Sequence, residues 1–246
     1  MGVAGGPSIP QSGLQLCLDA GNTKSSPGSG TTWSDVSGNG RDFTWGSAPT
    51  YNAVGTVGGY RQPKSIDSSM CSGPDSDTFG ITSSTGASFL FMLTNDALTN
   101  KSAFKWYMGD GGGTDARGYF AHLPWNSSNG IHFDTNGSTS TSSGGGRLST
   151  GNLTNYVNYF HEYGFTKSAD GATMKIYEDG VEEASRTNAG ACPTLSDDAA
   201  TIGGDDAYAS GWNAKMTTFL CYNRELSGAE MKQISAAYRG RQGTNR

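Results

Sequence analysis

Apolar and polar residues alternate along much of the chain with the period of two that marks half-buried strands. Leu14, Leu16 and Leu18 alternate with Gln15, Cys17 and Asp19, so regular structure is predicted to begin at Leu14. Phe89 to Leu93 is a continuous apolar run, and Phe104 to Met108, Tyr119 to Leu123 and Ile131 to Phe133 follow as strands across Gly-rich connections. Tyr156 to Thr166 reads as the longest strand, with Tyr159, His161, Tyr163 and Phe165 on one face and Phe160, Glu162 and Gly164 on the other. Thr173 to Tyr177 and Val181 to Ser185 flank Glu178-Asp179-Gly180, where Asp-Gly supplies the positive φ angles of a tight hairpin turn. Met216 to Tyr222 is the last predicted strand. A helix follows it: Ser227 and Glu230 form a capping box, Leu226 can staple onto Met231, and Met231, Ile234 and Tyr238 recur at helical spacing.

The segments between are rich in turn residues. Ala20 to Gly46 reads as a long loop pinned by Trp33, Phe43 and Trp45, and Gly137 to Gly151 as an exposed loop of Ser, Thr and Gly. Residues 1–12, rich in Gly, Pro and Ser, read as an extended N-terminal arm, and 13–246 as a single domain. Strands recurring every 10–20 or so residues predict an antiparallel all-β sandwich.

Composition narrows the picture. The chain has 246 residues with 37 Gly and 8 Pro, yet its 11% of Phe, Trp and Tyr is spread throughout, which a packed core requires and a disordered chain lacks. Net charge is −5 and no run of Lys or Arg could track a phosphate backbone, which argues against nucleic acid as a partner. No segment approaches the roughly 20 apolar residues of a membrane span. Met1 to Pro7 has neither a basic start nor an apolar stretch, so synthesis in the cytosol without a signal peptide is expected. Cys17, Cys71, Cys192 and Cys221 contain no C-x-x-C pair; two disulfides are conceivable, but the reading is four small buried thiols.

Two stretches carry a resemblance. Leu16-Cys17-Leu18-Asp19-Ala20-Gly21-Asn22, followed by Gly30-Thr31-Thr32-Trp33-Ser34-Asp35-Val36-Ser37-Gly38-Asn39-Gly40, resembles the opening of concanavalin A-like, laminin-G-like jelly-roll domains, particularly those of bacteriophage structural proteins. His161 to Thr166, the hairpin Met174 to Val181, Ile202-Gly203-Gly204, and Trp212 to Ser227 with the helix after it are similar to that family's second half, in the same order. The strand that usually follows the Ser37 to Gly40 turn has no counterpart in this reading, and Gly58-Gly59-Tyr60 onward reads as local elaboration. The resemblance implies a two-sheet antiparallel jelly-roll sandwich, concanavalin A-like, with one short C-terminal helix. It also implies that Trp33 and Trp212 belong to the core. It implies far less about activity, because the fold hosts lectins, glycanases and virion parts alike.

Candidate chemistry is sparse. Glycan hydrolysis needs two carboxylates flanking one sugar bond, and glycanases of this fold carry Glu-x-Asp-x-x-Glu on one strand, a run absent here. Asp75 and Asp77 have a spacing of two but sit in an expected turn beside Pro74. His161-Glu162 begins like a zinc-protease motif, with Phe165 where the second His should stand. His122, His132 and His161 lie on strands and read as hydrogen-bonded structural histidines. No catalytic residue is therefore assigned, and no enzyme activity is expected. Calcium is the candidate cofactor: Asp110 and Asp115, or Asp205 and Asp206, lie in Gly-rich loops that could offer oxygens, although all-β proteins use the same composition to turn corners. For a glycan, Trp125 with Asn126 and Tyr208 with Asp205 are the candidate contacts.

These readings converge on a non-enzymatic bacteriophage virion protein, a capsid decoration or appendage subunit present in many copies and held by its N-terminal arm to capsid or other virion proteins. The alternative is a lectin-like adhesion module for a host surface glycan, and a glycan hydrolase comes last.

Overall fold

The computed structural model describes residues 8–57, 60–62, 65–67, 70–95, 102–109, 116–125, 130–151, 160–204 and 214–242. Its strands are β1 (Leu14–Asp19), β2 (Thr32–Trp33), β3 (Phe43–Trp45), β4 (Thr50–Asn52), β5 (Gly55–Val57), β6 (Tyr60–Gln62), β7 (Ser65–Asp67), β8 (Cys71–Asp75) and β9 (Ala87–Asn95). They continue as β10 (Ser102–Tyr107), β11 (Arg117–Trp125), β12 (Gly130–Thr135), β13 (Arg147–Thr150), β14 (His161–Lys167), β15 (Met174–Glu178), β16 (Val181–Arg186), β17 (Ala199–Ile202) and β18 (Ala214–Tyr222). Helix α1 (Gly228–Gln242) ends the described chain.

Antiparallel pairing builds two eight-stranded sheets and a small β5–β6 ribbon. The first sheet runs β16-β15-β14-β9-β18-β7-β4, with β1 also on β18; the second runs β13-β12-β11-β10-β17-β8-β3-β2. Register shows why the two sheets stack. Ile176, Phe165, Phe89, Cys221 and Leu16 stand opposite one another across the first sheet. Leu148, Phe133, Ala121, Phe104, Ile202, Cys71 and Trp45 do so across the second. All twelve are buried in one common core. Its centre is aromatic: Phe91 stacks on Phe219 at 5.8 Å, Trp106 on Phe219 at 5.6 Å and Phe89 on Phe104 at 4.6 Å. Truncating such a ring to alanine removes about 3–5 kcal/mol, so this layer fixes the sandwich.

The first sheet's other face is apolar too, with Tyr177, Gly164, Leu90, Leu220 and Cys17 in one cross-strand row. Helix α1 seals it with Met231, Ile234, Ala237 and Tyr238. Gly164 permits the close approach, since a Cβ there would meet Met231 Sδ at 3.1 Å. The predicted capping box forms: Glu230 Oε2 accepts from the Ser227 N–H at 2.9 Å, and the Glu230 N–H donates to Ser227 Oγ at 3.3 Å. Ser227→Ala is expected to lower stability by about 1 kcal/mol, measured by urea unfolding; an unchanged midpoint would show that the helix is held by packing alone. The end of the N-terminal segment is fastened on the same side. Ile9 is buried with the helix residues, Tyr222 donates to the Pro10 carbonyl at 3.0 Å, Arg224 Nε donates to the Ser12 carbonyl at 2.8 Å, and Gln233 donates to the Ser8 carbonyl.

Several expectations are corrected. The Ala20 to Gly46 stretch is no mere loop, because Trp33, Phe43 and Trp45 lie on β2 and β3 and enter the core, the two indoles stacked at 5.6 Å. β3 is also the strand that has no counterpart in the sequence reading after the Ser37 to Gly40 turn; at three residues it is too short to show a period. Gly137 to Gly151 hides β13, whose single large apolar side chain, Leu148, joins the core opposite Phe133. The strand predicted from Tyr156 begins at His161, and residues 152–159 lie outside the described ones. β9, β11 and β18, nine residues each, are the longest described strands. The hairpin turn follows expectation, with φ of 51° at Asp179 and 78° at Gly180, and the four cysteines are buried free thiols.

Candidate functional site

The second sheet's outward face differs from the first's. Thr32, Thr44, Ser72, Thr201, Lys105, Phe120, Asp134 and Arg147 stand in one row across all eight strands. A second row brings Ser102, His122, His132 and Ser149 together. The apolar residues alternate with them, which is why they form this face once the core rows turn inward. Thr32 and Thr44 are exposed, whereas Lys105, Phe120, His122 and Asp134 are buried.

Buried charge demands partners, and Asp134 organises them. It accepts Arg117 Nη1 at 3.0 Å, Arg147 Nε at 2.6 Å and Arg147 Nη2 at 2.6 Å. The Arg117 guanidinium lies 4.1 Å from the centre of the Phe120 ring, and Lys105 Nζ lies 4.1 Å from that of Tyr107. His132 Nδ1 meets Ser149 Oγ at 2.7 Å; burial first, then the Arg147 charge, pulls the His132 pKa below its ordinary value despite Asp134. Asp134 is the one carboxylate in the buried part of this face among the described residues, and two guanidiniums occupy it. The arrangement makes a rigid ion-pair lattice and no acid–base couple.

A second titratable cluster lies at the hairpin turn. His161 Nδ1 is 3.0 Å from Asp179 Oδ2 and 3.2 Å from Glu178 Oε1, and the Glu162 N–H donates to Asp179 Oδ1 at 3.1 Å. Burial pushes Asp179 up, but hydrogen bonds from His161 and the Glu162 backbone, with the His161 and Arg239 charges, outweigh it and hold Asp179 at about 2. Glu162 sits under α1, and burial, reinforced by the Asp179 charge and opposed by Arg239, raises it to about 8. The two carboxyls are thus driven apart in pKa. Glu162, however, is only 4% exposed and faces Leu90, Met92, Leu220, Ile234 and Tyr238, so it is closed to a sugar chain.

The open feature lies at the other side of the sandwich. β4 is an edge strand of the first sheet, and Tyr51 and Asn52 on it, with Ala20, Ser26, Pro27, Gly28 and Ala53, line a groove of about 210 Å³. Tyr51 Oη donates to the Gly30 carbonyl at 3.0 Å, tying the ring to the loop after β1. That loop is itself braced, with Ser25 Oγ donating to the Ser34 carbonyl and the Ser26 N–H to the Asn22 carbonyl. Burial raises the Tyr51 phenol above its ordinary pKa.

Of the residues singled out from sequence, Asp110, Asp115, Asn126, Asp205, Asp206, Tyr208 and Trp212 lie outside the described residues, as does the side chain of Trp125, whose backbone pairs with Gly130 at the end of β11. Asp75 ends β8 and Asp77 lies in a 3₁₀ turn, both exposed. His132 and His161 make the side-chain hydrogen bonds expected of structural histidines, and His122 packs 4.5 Å from Phe120. The sequence reading missed Tyr51-Asn52, although it is the same aromatic-then-amide pair that drew attention to Trp125-Asn126. No group of three or more His, Cys, Asp or Glu able to hold a metal occurs among the described residues, and no described helix is long and apolar enough to cross a membrane.

Two stacked antiparallel sheets of this kind define a jelly-roll domain of the concanavalin A type. The model of the concanavalin A-like lectin/glucanases superfamily matches residues 67–232, more than half of the chain, and the chain belongs to that family. No curated protein matches the sequence. Among solved structures, the receptor-binding domain of a botulinum neurotoxin C/D mosaic serotype superposes with TM-score 0.64 at 14% identity, covering 92% of this chain and 51% of that one. The ligand-binding domain of botulinum neurotoxin serotype D, in complex with N-acetylneuraminic acid, gives 0.63 at 15%, covering 92% and 51%. A Trypanosoma rangeli sialidase bound to a difluoro-KDN gives 0.63 at 15%, covering 94% and 33%. The chain therefore spans between a third and a half of these structures' length, and at such identity the likeness is one of fold.

Proposed function

We propose that this lectin-like domain is a non-enzymatic attachment module that binds carbohydrate in the groove at Tyr51 and Asn52. One observation carries the reading: among the open surfaces described, this groove combines a fixed aromatic ring with a carboxamide and a hydroxyl, the mixture by which small-molecule sites give both contact area and orientation. Sugar-bearing neighbours of the same fold support it. Asp134 is saturated by two guanidiniums and Glu162 is covered by α1, so neither is available as a catalytic acid or base, and binding without bond cleavage is the reading we favour over hydrolysis. Full-length protein on a glycan array is expected to give saturable binding, with no reducing sugar released from the bound polysaccharide. Silence across the array, or sugar release, would overturn it.

The setting we propose is a bacteriophage virion, with the domain as a multi-copy capsid decoration or appendage anchored by its N-terminal arm, residues 1–12. The opening motifs from Leu16 to Gly40, which resemble phage structural domains, support this; mass spectrometry of purified particles tests it. Trp125 with Asn126 and Tyr208 with Asp205 are proposed as further glycan contacts, and calcium at Asp110 and Asp115 or at Asp205 and Asp206 as a metal to be sought by titration.

A further inference from the structure

We infer that α1 is a hinged cover that lifts off the first sheet when Glu162 loses its proton, baring the apolar face beneath it while the core between the two sheets stays closed. Geometry marks the weak point. The Glu162 side chain sits in the seam under α1, walled by Leu90, Met92 and Leu220 of the sheet and by Ile234 and Tyr238 of the helix. It is only 4% exposed, and its Oε2 is buried with no hydrogen-bond partner. A neutral carboxyl is tolerated there, whereas a carboxylate would be an unpaired buried charge, which costs far more.

The surrounding charges offer little relief. His161, the neighbour on β14, is 3.0 Å from Asp179 and 3.2 Å from Glu178 on the adjoining hairpin. Arg239 is the cation that α1 brings to this end; it already donates to the Asp179 carbonyl and stands 3.9 Å from that carboxylate. Across the sheet, the Glu162 row continues through Met92 and Thr218 to a further acid, Asp19 on β1. β9 carries no ionisable residue, Lys215 on β18 stands opposite Thr94 in another row, and Lys175 on β15 is paired with Glu182 at 3.2 Å. Tyr177, Tyr222, Tyr238 and Cys17, buried in the same cluster, are acids and supply no positive charge. Burial and the Asp179 charge accordingly outweigh Arg239 and keep the proton on Glu162 up to about 8.

Lifting the cover is a local event. The apolar cluster under α1 is separate from the core between the sheets, and no strand pairing runs through the helix. Its base is pinned, with Ser88 Oγ donating to the Arg224 carbonyl at 2.8 Å and accepting from the Leu226 N–H at 2.9 Å. Farther along, side chains hold the helix: Gln233 at the Ser8 carbonyl, Arg239 at the hairpin, and the apolar packing. Units of this kind open below the free energy of global unfolding. Cys17 lies under α1, while Cys71 and Cys221 lie in the main core, so the thiols report the two layers separately.

The test alkylates the full chain with iodoacetamide from about pH 5 to about pH 9, locates each labelled cysteine by peptide mass spectrometry, and divides its rate by that of the urea-unfolded chain at the same pH. With Glu162 titrating at 4.5 when uncovered and at about 8 when covered, Cys17 labelling is expected to climb by up to about tenfold per pH unit between those values and then level off. Cys71 and Cys221 stay protected throughout. Glu162→Gln keeps His161, Asp179 and Arg239 and is expected to flatten the Cys17 course; Glu162→Met, also uncharged, replaces it should that variant fail to fold. Cys17 and Cys221 rising together, a Cys17 rate that does not change with pH, or the same rise in the uncharged variant overturns the inference.

Discussion

Asp134→Ala is expected to be the most destabilising single substitution on the polar face, at about 3–5 kcal/mol, the usual result of removing one partner from a buried ion pair. Asp134 is fully buried and receives three charged donors. Arg147 keeps 19% of its side chain exposed and can turn toward water, but Arg117 at 6% cannot. The variant therefore strands a guanidinium against Phe120. For a domain of this size the loss corresponds to a fall in Tm of roughly 10 °C, read by calorimetry. Asp134→Asn, which keeps the shape and loses the charge, should fall between. A loss below about 1 kcal/mol for Asp134→Ala would mean that the lattice contributes little beyond filling space.

The second large effect is a pH dependence set by Glu162. Its carboxyl moves from 4.5 to about 8 on folding, so the folded state holds a proton that the unfolded chain gives up throughout that interval. Stability from this group is complete below pH 4.5 and declines as pH rises through about 8. The upper bound on the decline is on the order of 4–5 kcal/mol, at about 1.4 kcal/mol per pH unit. Glu162→Gln, neutral at every pH, should match the wild type near pH 4 and exceed it near pH 9 in chemical unfolding. Lys167, buried with its ammonium donating to Thr135 Oγ1 and to the Ala189 and Gly190 carbonyls, is pushed down to about 8 from 10.5. Its contribution has the opposite slope and lies above the Glu162 window, so the two separate. Parallel curves for wild type and Glu162→Gln would show that the carboxyl reaches water and that α1 does not seal it.

Much of the sandwich was legible in the sequence because its long strands carry several alternating positions or an unbroken apolar run. β1 and β14 could be read from alternation, β9 from its continuous apolar stretch, the β15–β16 hairpin from Asp179-Gly180, and α1 from its cap. The short strands could not: β2, β3 and β13 have two to four residues each, and tertiary contacts of Trp33, Trp45 and Leu148 decide them. The polar lattice was invisible for a different reason. Arg117, Asp134 and Arg147 are ordinary charged residues in three separate strands, and only the register of β11, β12 and β13 stacks them. The groove was half legible: Tyr51 beside Asn52 is a readable pair, but its wall comes from Ser26 to Gly28, brought there by the loop after β1.

The antiparallel seam between β1 and β18 places Leu14 opposite Tyr222 and Asp19 opposite Thr218. Residues through Tyr222 must therefore leave the ribosome before β1 can pair with β18, and until then that edge of β1 stays unpaired. Such long-range closure makes assembly slow and leaves nascent chains exposed to aggregation. Truncation before Met216 should abolish folding altogether instead of yielding a smaller stable piece.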